Sequence, residues 1–275
     1  MIIGQQNNRF LKRVNPEILR AKADGGESYN NAYLQRTMRS IVDAGIYTNL
    51  KTWISSELSK PNGTEISKSY DLKNNTDFSQ STAADQPLRD NGFSFDGISD
   101  YMIADNATDL NPISTMTFCM WAKVNDLSTS DAYLFGTFND GNNTGIQAQG
   151  ILVSGTLNLS PYFFFRTDSR QALAGGVVNG GYNDSEFHFF VMSYQSPSTL
   201  TFHVDGELKS TTYRFSFSQT APSSWQYTFP IGARDVRGVV GGYTNSVIDD
   251  WMYFDKVLTT AEQLQIYNAT KDKYI

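Results

Sequence analysis

The sequence predicts a mainly β chain built from antiparallel hairpins, and three observations carry that prediction. From Asn91 to Val124 apolar side chains recur with period two between Asp, Asn, Gly and Pro clusters, the pattern of half-buried strands. Glu186 to Glu207 repeats the pattern as one regular hairpin around Gln195-Ser196-Pro197-Ser198. Aromatic residues make up 13% of the chain and charged residues only 18%, which suits broad apolar faces with Asn-, Ser-, Thr- and Gly-rich loops. At 275 residues the chain is long enough for one sandwich with an appendage or for two modest domains.

Taken in order, residues 1–28 show little periodicity. Arg9 to Val14 fits a short strand or a turn, and Pro16 to Lys22 a short helix stopped by Asp24-Gly25-Gly26. A firm helix follows, with Leu34, Met38, Ile41 and Val42 on one face, Gln35, Arg36, Arg39 and Asp43 on the other, and Gly45 to end it. It either packs on the sandwich or seats the chain on a larger body. Thr48 to Leu58 fits a helix face or a strand, and Ile66 to Leu72 alternates as a strand.

Within the stretch from Asn91, Phe93 and Phe95 lead to an Asp96-Gly97 turn, Tyr101 and Ile103 share a face, and Met116 to Val124 forms a third strand. Tyr133 to Gly136 is the next strand, Ile151 to Leu159 and Tyr162 to Arg166 a further pair, and residues 174–181 a glycine-rich connection. Pairing Tyr194 with Thr199 sets His188 opposite Asp205, with His203 diagonal on the same face. Packed, hydrogen-bonded histidines are expected there rather than metal ligands. Phe229 to Arg234 and Ser246 to Tyr253 are the last strands. Thr259 or Thr260, with Glu262 or Gln263 reaching back, caps a short final helix.

The run Phe95-Asp96-Gly97, Asp100-Tyr101, Leu110-Asn111-Pro112, Phe118 and Trp121 resembles the laminin-G-like, concanavalin-type jelly-roll family. The resemblance continues through Tyr70-Asp71-Leu72, His188, Asp205-Gly206, Asp249-Asp250 and Leu258 to Glu262, covering about residues 50–270. Phe118 is displaced by one from the usual alternation, and Phe187 and His203 stand where the family has Trp and Tyr. The resemblance implies a two-sheet antiparallel jelly-roll sandwich with a short N-terminal arm and helix. It places the strand start near Leu50 and divides the chain into residues 1–48 and 49–275. One sandwich serves lectins, hydrolases and adhesive modules, so the resemblance implies fold before function.

Chemistry is sparse. The family's hydrolases carry a Glu-x-Asp-x-x-Glu strand, and none is present. Adjacent Asp249 and Asp250 on a regular strand point to opposite faces and cannot act on one bond. No phosphate loop or zinc spacing appears. Asn139 to Gly145 is similar to calcium loops but offers one carboxylate, Asp140, so no cofactor or metal is expected. Cys119, the sole cysteine, reads as a buried inert thiol. An enzyme is not expected. Rim amides and loop aromatics (Asn139, Asp140, Asn142, Trp225, Tyr227 and Tyr243) are the candidates for contact with a host surface glycan.

The formal charge of −6 is uneven: residues 1–22 carry +4 and the remainder −10. An acidic body argues against nucleic acid, whose binding rests on phosphate neutralisation. No apolar run approaches a membrane span of about 20 residues, and Met1 to Gly4 is too short for a signal-peptide core. A basic arm reads as a docking tail, with Arg9, Phe10, Lys12, Arg13, Arg36 and Arg39 as contacts. An arm ending Ala23-Asp24-Gly25-Gly26, a helix ending Ala44-Gly45-Ile46-Tyr47 and then this sandwich resembles structural proteins of tailed bacteriophages. That implies a virion component of capsid, neck or tail, with other virion proteins as partners in a homo-oligomer or symmetric array.

Overall fold

A computed structural model describes residues 16–111, 114–126, 132–139, 144–153, 156–160, 162–167, 170–175, 182, 184–195, 199–209 and 227–275. The elements that position the sites are helices α1 (residues 16–23) and α2 (Asn31–Asp43), strands β1 (Leu50–Ile54), β2 (Thr115–Asp126), β3 (Phe187–Gln195), β4 (Thr199–Val204) and β5 (Asn245–Phe254), and helix α3 (Thr260–Thr270).

One layer has the antiparallel order β1-β5-β2-β3-β4, extended by Glu207–Lys209. The second layer runs from Leu58–Asn62 and Glu65–Ser69 through Phe78–Ser79, Met102–Ala104, Pro230–Ile231 and Tyr133–Asn139 to Thr144–Val153 and Thr156–Ser160. Phe93–Asp96 joins the layers along one edge. It pairs with β5 on one side and with Leu88–Arg89 on the other, and the latter pairs with Glu65.

The inner faces share one core, in which Phe118 lies among Phe135, Phe229, Trp251 and Tyr253. The opposite face of the first layer is equally apolar. Trp53, Cys119, Trp121, Phe189, Val191 and Met252 form a second core with Leu34, Met38 and Ile41 of α2 and Ile266 of α3. Strands apolar on both faces need cover on both, and here the helices supply the second cover. The protein is therefore three layers deep.

Packing rather than propensity holds α2. Leu34, Met38 and Ile41 are fully buried, and at ~1.5–3 kcal/mol each they outweigh a cap worth ~1 kcal/mol. Asn30 caps its start by accepting from Tyr33 N at 3.0 Å. Gly45, at φ +74°, ends it with bonds from Gly45 N to Val42 O and from Ile46 N to Ile41 O. At α3 the reciprocal box forms between Thr259 and Glu262.

Several strand expectations are corrected. Thr144–Val153 pairs with Thr156–Ser160, while Tyr162–Thr167 pairs with Arg170–Gly175 as a separate hairpin. The stretch from Phe229 to Arg234 is not one strand but breaks after Ile231, where Gly232 takes φ +81°. The β3–β4 hairpin pairs Tyr194 with Leu200, one residue off the expected register. His203 thereby faces the helices beside Thr260, away from His188.

Candidate functional site

At one end of the sandwich the chain builds a mixed polar and aromatic rim. The Asp96-Gly97 turn meets the start of β5, and a Cβ on Gly97 (φ +77°) would sit 3.0 Å from that of Asn245. Asp96 Oδ1 accepts from the backbone N–H of Ile98 at 2.8 Å, Ser99 at 3.0 Å and Asp100 at 3.1 Å. Burial opposes ionisation of Asp96, but these N–H donors outweigh it and hold the carboxyl below the usual range. Asp100 behaves oppositely. Burial, the Asp96 charge and the more distant Asp85 push it up to about 6, although its Oδ2 accepts from Asp96 N at 3.2 Å.

Tyr101 follows directly, its N–H bound to Asp85 O at 3.1 Å. Its ring lies 6.0 Å from that of Tyr243, inclined at 35°. Both rings are half-buried, and the Tyr243 hydroxyl donates to Val240 O at 3.2 Å. Beside them, Asn125 Nδ2 donates to Asn245 Oδ1 at 3.2 Å, and Ile98 is 76% exposed. The surface here combines a pair of aromatic rings with amides and carboxylates, a mixture that suits an amphipathic ligand.

Of the glycan-rim residues expected from sequence, Tyr243 is placed in this rim. Tyr227 is half-buried just before Thr228, whose N–H donates to Asp235 Oδ2 at 3.1 Å. Asn139 closes the strand Tyr133–Asn139; Asp140, Asn142 and Trp225 lie outside the described residues. Sequence reasoning missed Tyr101, Asn125 and Asn245 as a set. The signal was a register: Asn245 pairs with Asp96 and Asp126, which brings turn and strand end together.

Of the docking residues, Arg9, Phe10, Lys12 and Arg13 lie outside the described residues. Arg36 is engaged within the chain, donating from Nε to Ala269 O at 2.9 Å and lying 3.6 Å from Asp272. Arg39 is exposed on α2. Ile18, Leu19, Lys22, Asn31 and Gln35 line a groove between α1 and α2, and Leu19 is 67% exposed.

The adjacent aspartates of β5 overturn the expectation of opposite faces. Asp250 takes φ +45° where the pairing with β2 skips, so both carboxylates turn towards the helices. Asp249 accepts from Ser56 N at 2.8 Å, Ser56 Oγ at 2.9 Å and Lys273 Nζ at 2.5 Å. Asp250 accepts from Trp53 Nε1 at 2.9 Å and from the Tyr33 hydroxyl, and Tyr274 donates at 3.0 Å to each aspartate. Burial and the Asp249 charge push Asp250 up to about 6. Asp249 is buried too, but Lys273 holds it below the usual range. Neither side chain reaches solvent. Among the described residues no group of three or more His, Cys, Asp or Glu is arranged to hold a metal ion, and no helix is long and apolar enough to cross a membrane.

A family model described as the concanavalin A-like lectin/glucanases superfamily matches residues 96–262. No curated protein matches. Among solved structures, the binding domain of Paraclostridial Mosquitocidal Protein 1 is similar at 14% identity and a TM-score of 0.57, over 82% of this chain and 53% of that one. The botulinum neurotoxin serotype D binding domain gives 15% and 0.54, over 82% and 52%. A Trypanosoma rangeli sialidase mutant displaying trans-sialidase activity gives 13% and 0.54, over 87% and 39%. The chain thus spans about half the length of the toxin domains it matches, and the likeness is one of fold.

Proposed function

The chain belongs to the concanavalin A-like lectin/glucanases superfamily, and from that premise we propose that it is a non-enzymatic recognition protein that holds a glycan against its rim. The observation that carries this reading is the Tyr101–Tyr243 pair, half-exposed beside Asn125, Asn245 and the Asp96–Asp100 turn. The carboxylates favour binding over hydrolysis. Asp249 and Asp250 are sealed from solvent, and Asp96 is occupied by backbone N–H groups, whereas glycoside hydrolysis needs two carboxyl groups flanking the bond. A single sugar ring of about a dozen heavy atoms, at ~0.3 kcal/mol per atom, gives a Kd near ~1 mM; tighter binding takes several rings or copies.

The test is an NMR titration of host-surface oligosaccharides against wild type and Tyr243→Ala. Loss of one stacking ring weakens binding about tenfold, or ~1.4 kcal/mol. Equal binding by both proteins would remove the rim, and no binding to any host glycan would remove the reading.

A second reading concerns where the protein works. The apolar groove between α1 and α2, with Leu19 exposed, favours attachment of residues 1–48 to a larger body that presents residues 49–275 outward. With the resemblance to tailed-bacteriophage structural proteins, we propose that this body is a virion. Co-sedimentation with purified particles at a fixed stoichiometry supports it, and recovery only in the free fraction refutes it.

A further inference from the structure

His188, near the start of β3, sits between two carboxylates. Its Nδ1 lies 2.7 Å from Asp205 Oδ2, and its Nε2 lies 3.3 and 3.2 Å from the two oxygens of Asp184. Ionised carboxylates only accept hydrogen bonds, and a neutral imidazole has one N–H to give. Only the imidazolium, with two N–H donors, satisfies both partners. We propose that His188 is a proton-operated clasp that ties Asp184, in the segment entering β3, to the β4 turn at Asp205.

The two halves of the clasp differ in strength. Asp205 is fixed independently of the histidine: its φ is +54°, its Oδ1 accepts from Phe189 N at 2.8 Å, and its own N–H donates to Phe189 O at 3.0 Å. Asp184 is 44% exposed, and its other bond is from Glu186 N at 3.0 Å. When His188 loses its proton, the single remaining N–H stays with the shorter, backed partner, and the Asp184 contact opens.

Among the described groups packed around the clasp, His188 is the one imidazole. The Tyr182 ring stands edge-on to His188 at 4.9 Å, with Phe190 at 6.2 Å on the same strand. Lys209, from the strand after β4, pairs with Glu207 at 2.7 Å and lies by Tyr182. From α3, Tyr267 lies within reach of the Asp205 and Glu207 charges; burial and those charges raise its pKa. From β2 the residue opposite is Ala122, while Lys123 lies beside Phe187. The bond to Asp205, opposed by burial and aided by Asp184, raises the His188 pKa above its ordinary value. Ala122 is three residues from rim Asn125 on β2, so the clasp lies at the recognition end of the sandwich.

The experiment is an NMR titration of the ring signals of the two histidines in the full chain, with wild type and Asp184→Asn compared and the Glu186 amide followed in parallel. The clasp requires that Asp184→Asn lower the proton affinity of His188 by about two- to fivefold, as for a half-exposed ion pair, and leave His203 unchanged. It also requires the wild-type Glu186 amide to shift along the His188 curve. Asp184 is exposed and asparagine keeps the acceptor for Glu186 N, so the variant folds. An unchanged His188 affinity in Asp184→Asn, or a Glu186 amide that stays flat through the His188 titration, overturns the proposal.

Discussion

Replacing Lys273 by methionine tests the buried ion cluster directly. Lys273 Nζ lies 2.8 Å from Glu57 Oε1 and 2.5 Å from Asp249 Oδ2, and the three side chains are 8%, 8% and 0% exposed. Methionine keeps the length and the packing against Tyr33 and Tyr274 but removes the cation from two buried carboxylates. Arg89, at 3.5 Å from Glu57 Oε2, compensates Glu57 alone. Removing one partner of a buried pair costs about 3–5 kcal/mol, a large share of the ~5–15 kcal/mol of a whole protein. Thermal melting followed by circular dichroism at pH 7.5 should show the midpoint falling by roughly 6–20 °C. The deficit should shrink as pH falls: without the lysine, Asp249 is held above its unfolded pKa, and protonation relieves it. Adding Asp249→Asn should recover most of the loss, because the uncompensated charge is gone. A midpoint within about 2 °C of wild type, under ~1 kcal/mol, would show that the cluster is not the buried charge lock described above.

Wild-type stability should also rise as pH is lowered from 7.5 to about 5. Asp100 and Asp250 have folded pKa values raised to about 6, so the folded chain binds more protons than the unfolded one between pH ~4 and ~6. His188 acts in the same sense, its contribution being lost as pH rises through its raised pKa. Buried His203 opposes, its contribution being lost as pH falls. Below ~4 the gain reverses as Asp96 and Asp249, both lowered, take up protons; a melting temperature climbing steadily from pH 5 to 8 would contradict the balance. Gly232→Ala should cost about 2–5 kcal/mol in urea unfolding, since its φ is +81° and its Cβ would stand 2.4 Å from the Phe95 ring. Gly238→Ala, at φ +82° in open space, should cost only ~1–2 kcal/mol. Cys119 is buried, and burial pushes its thiol well above the ordinary range. Its reaction with a thiol reagent should track the unfolding rate; labelling at the speed of an exposed cysteine would refute that burial.

Much of the fold could be read from local pattern because period-two burial and turn residues are local. Phe118, Met120 and Val124 face the inner core while Cys119 and Trp121 face the helices, as alternation along one strand requires. Both faces of β3 are apolar along Phe187 to Tyr194, but that pattern does not say that α2 and α3 together cover the second face. What failed was whatever depended on a skipped residue. Asp249 and Asp250 share a face only because Asp250 adopts a left-handed backbone at a break in the β2 pairing, and composition does not mark such a break. The β3–β4 register slipped by one, yet His188 still meets Asp205, because Asp205 has left the strand and its side chain spans the difference. The rim was half visible. Tyr243 stood out as a loop aromatic, but its neighbour Tyr101 comes from 142 positions earlier and is brought to it by the pairing of Asp96 with Asn245.

The order in which the layers can be completed follows from the place of β5 in the sequence. That strand borders β1, β2 and Phe93–Asp96 at once, yet every one of them is synthesised long before it. The cover is later still: Thr270 receives the Trp121 indole N–H at 2.9 Å, and Tyr274 stacks on the same ring at 4.6 Å. A nascent chain therefore has only α2 over the Trp121 side of β2 until α3 and Tyr274 have been made. Such long-range pairing makes closure slow and leaves apolar strands open meanwhile. A chain stopped before α3 would keep α2 on that face of the central sheet but lack Ile266, Thr270 and Tyr274, leaving the Trp121 side of the sheet only partly covered.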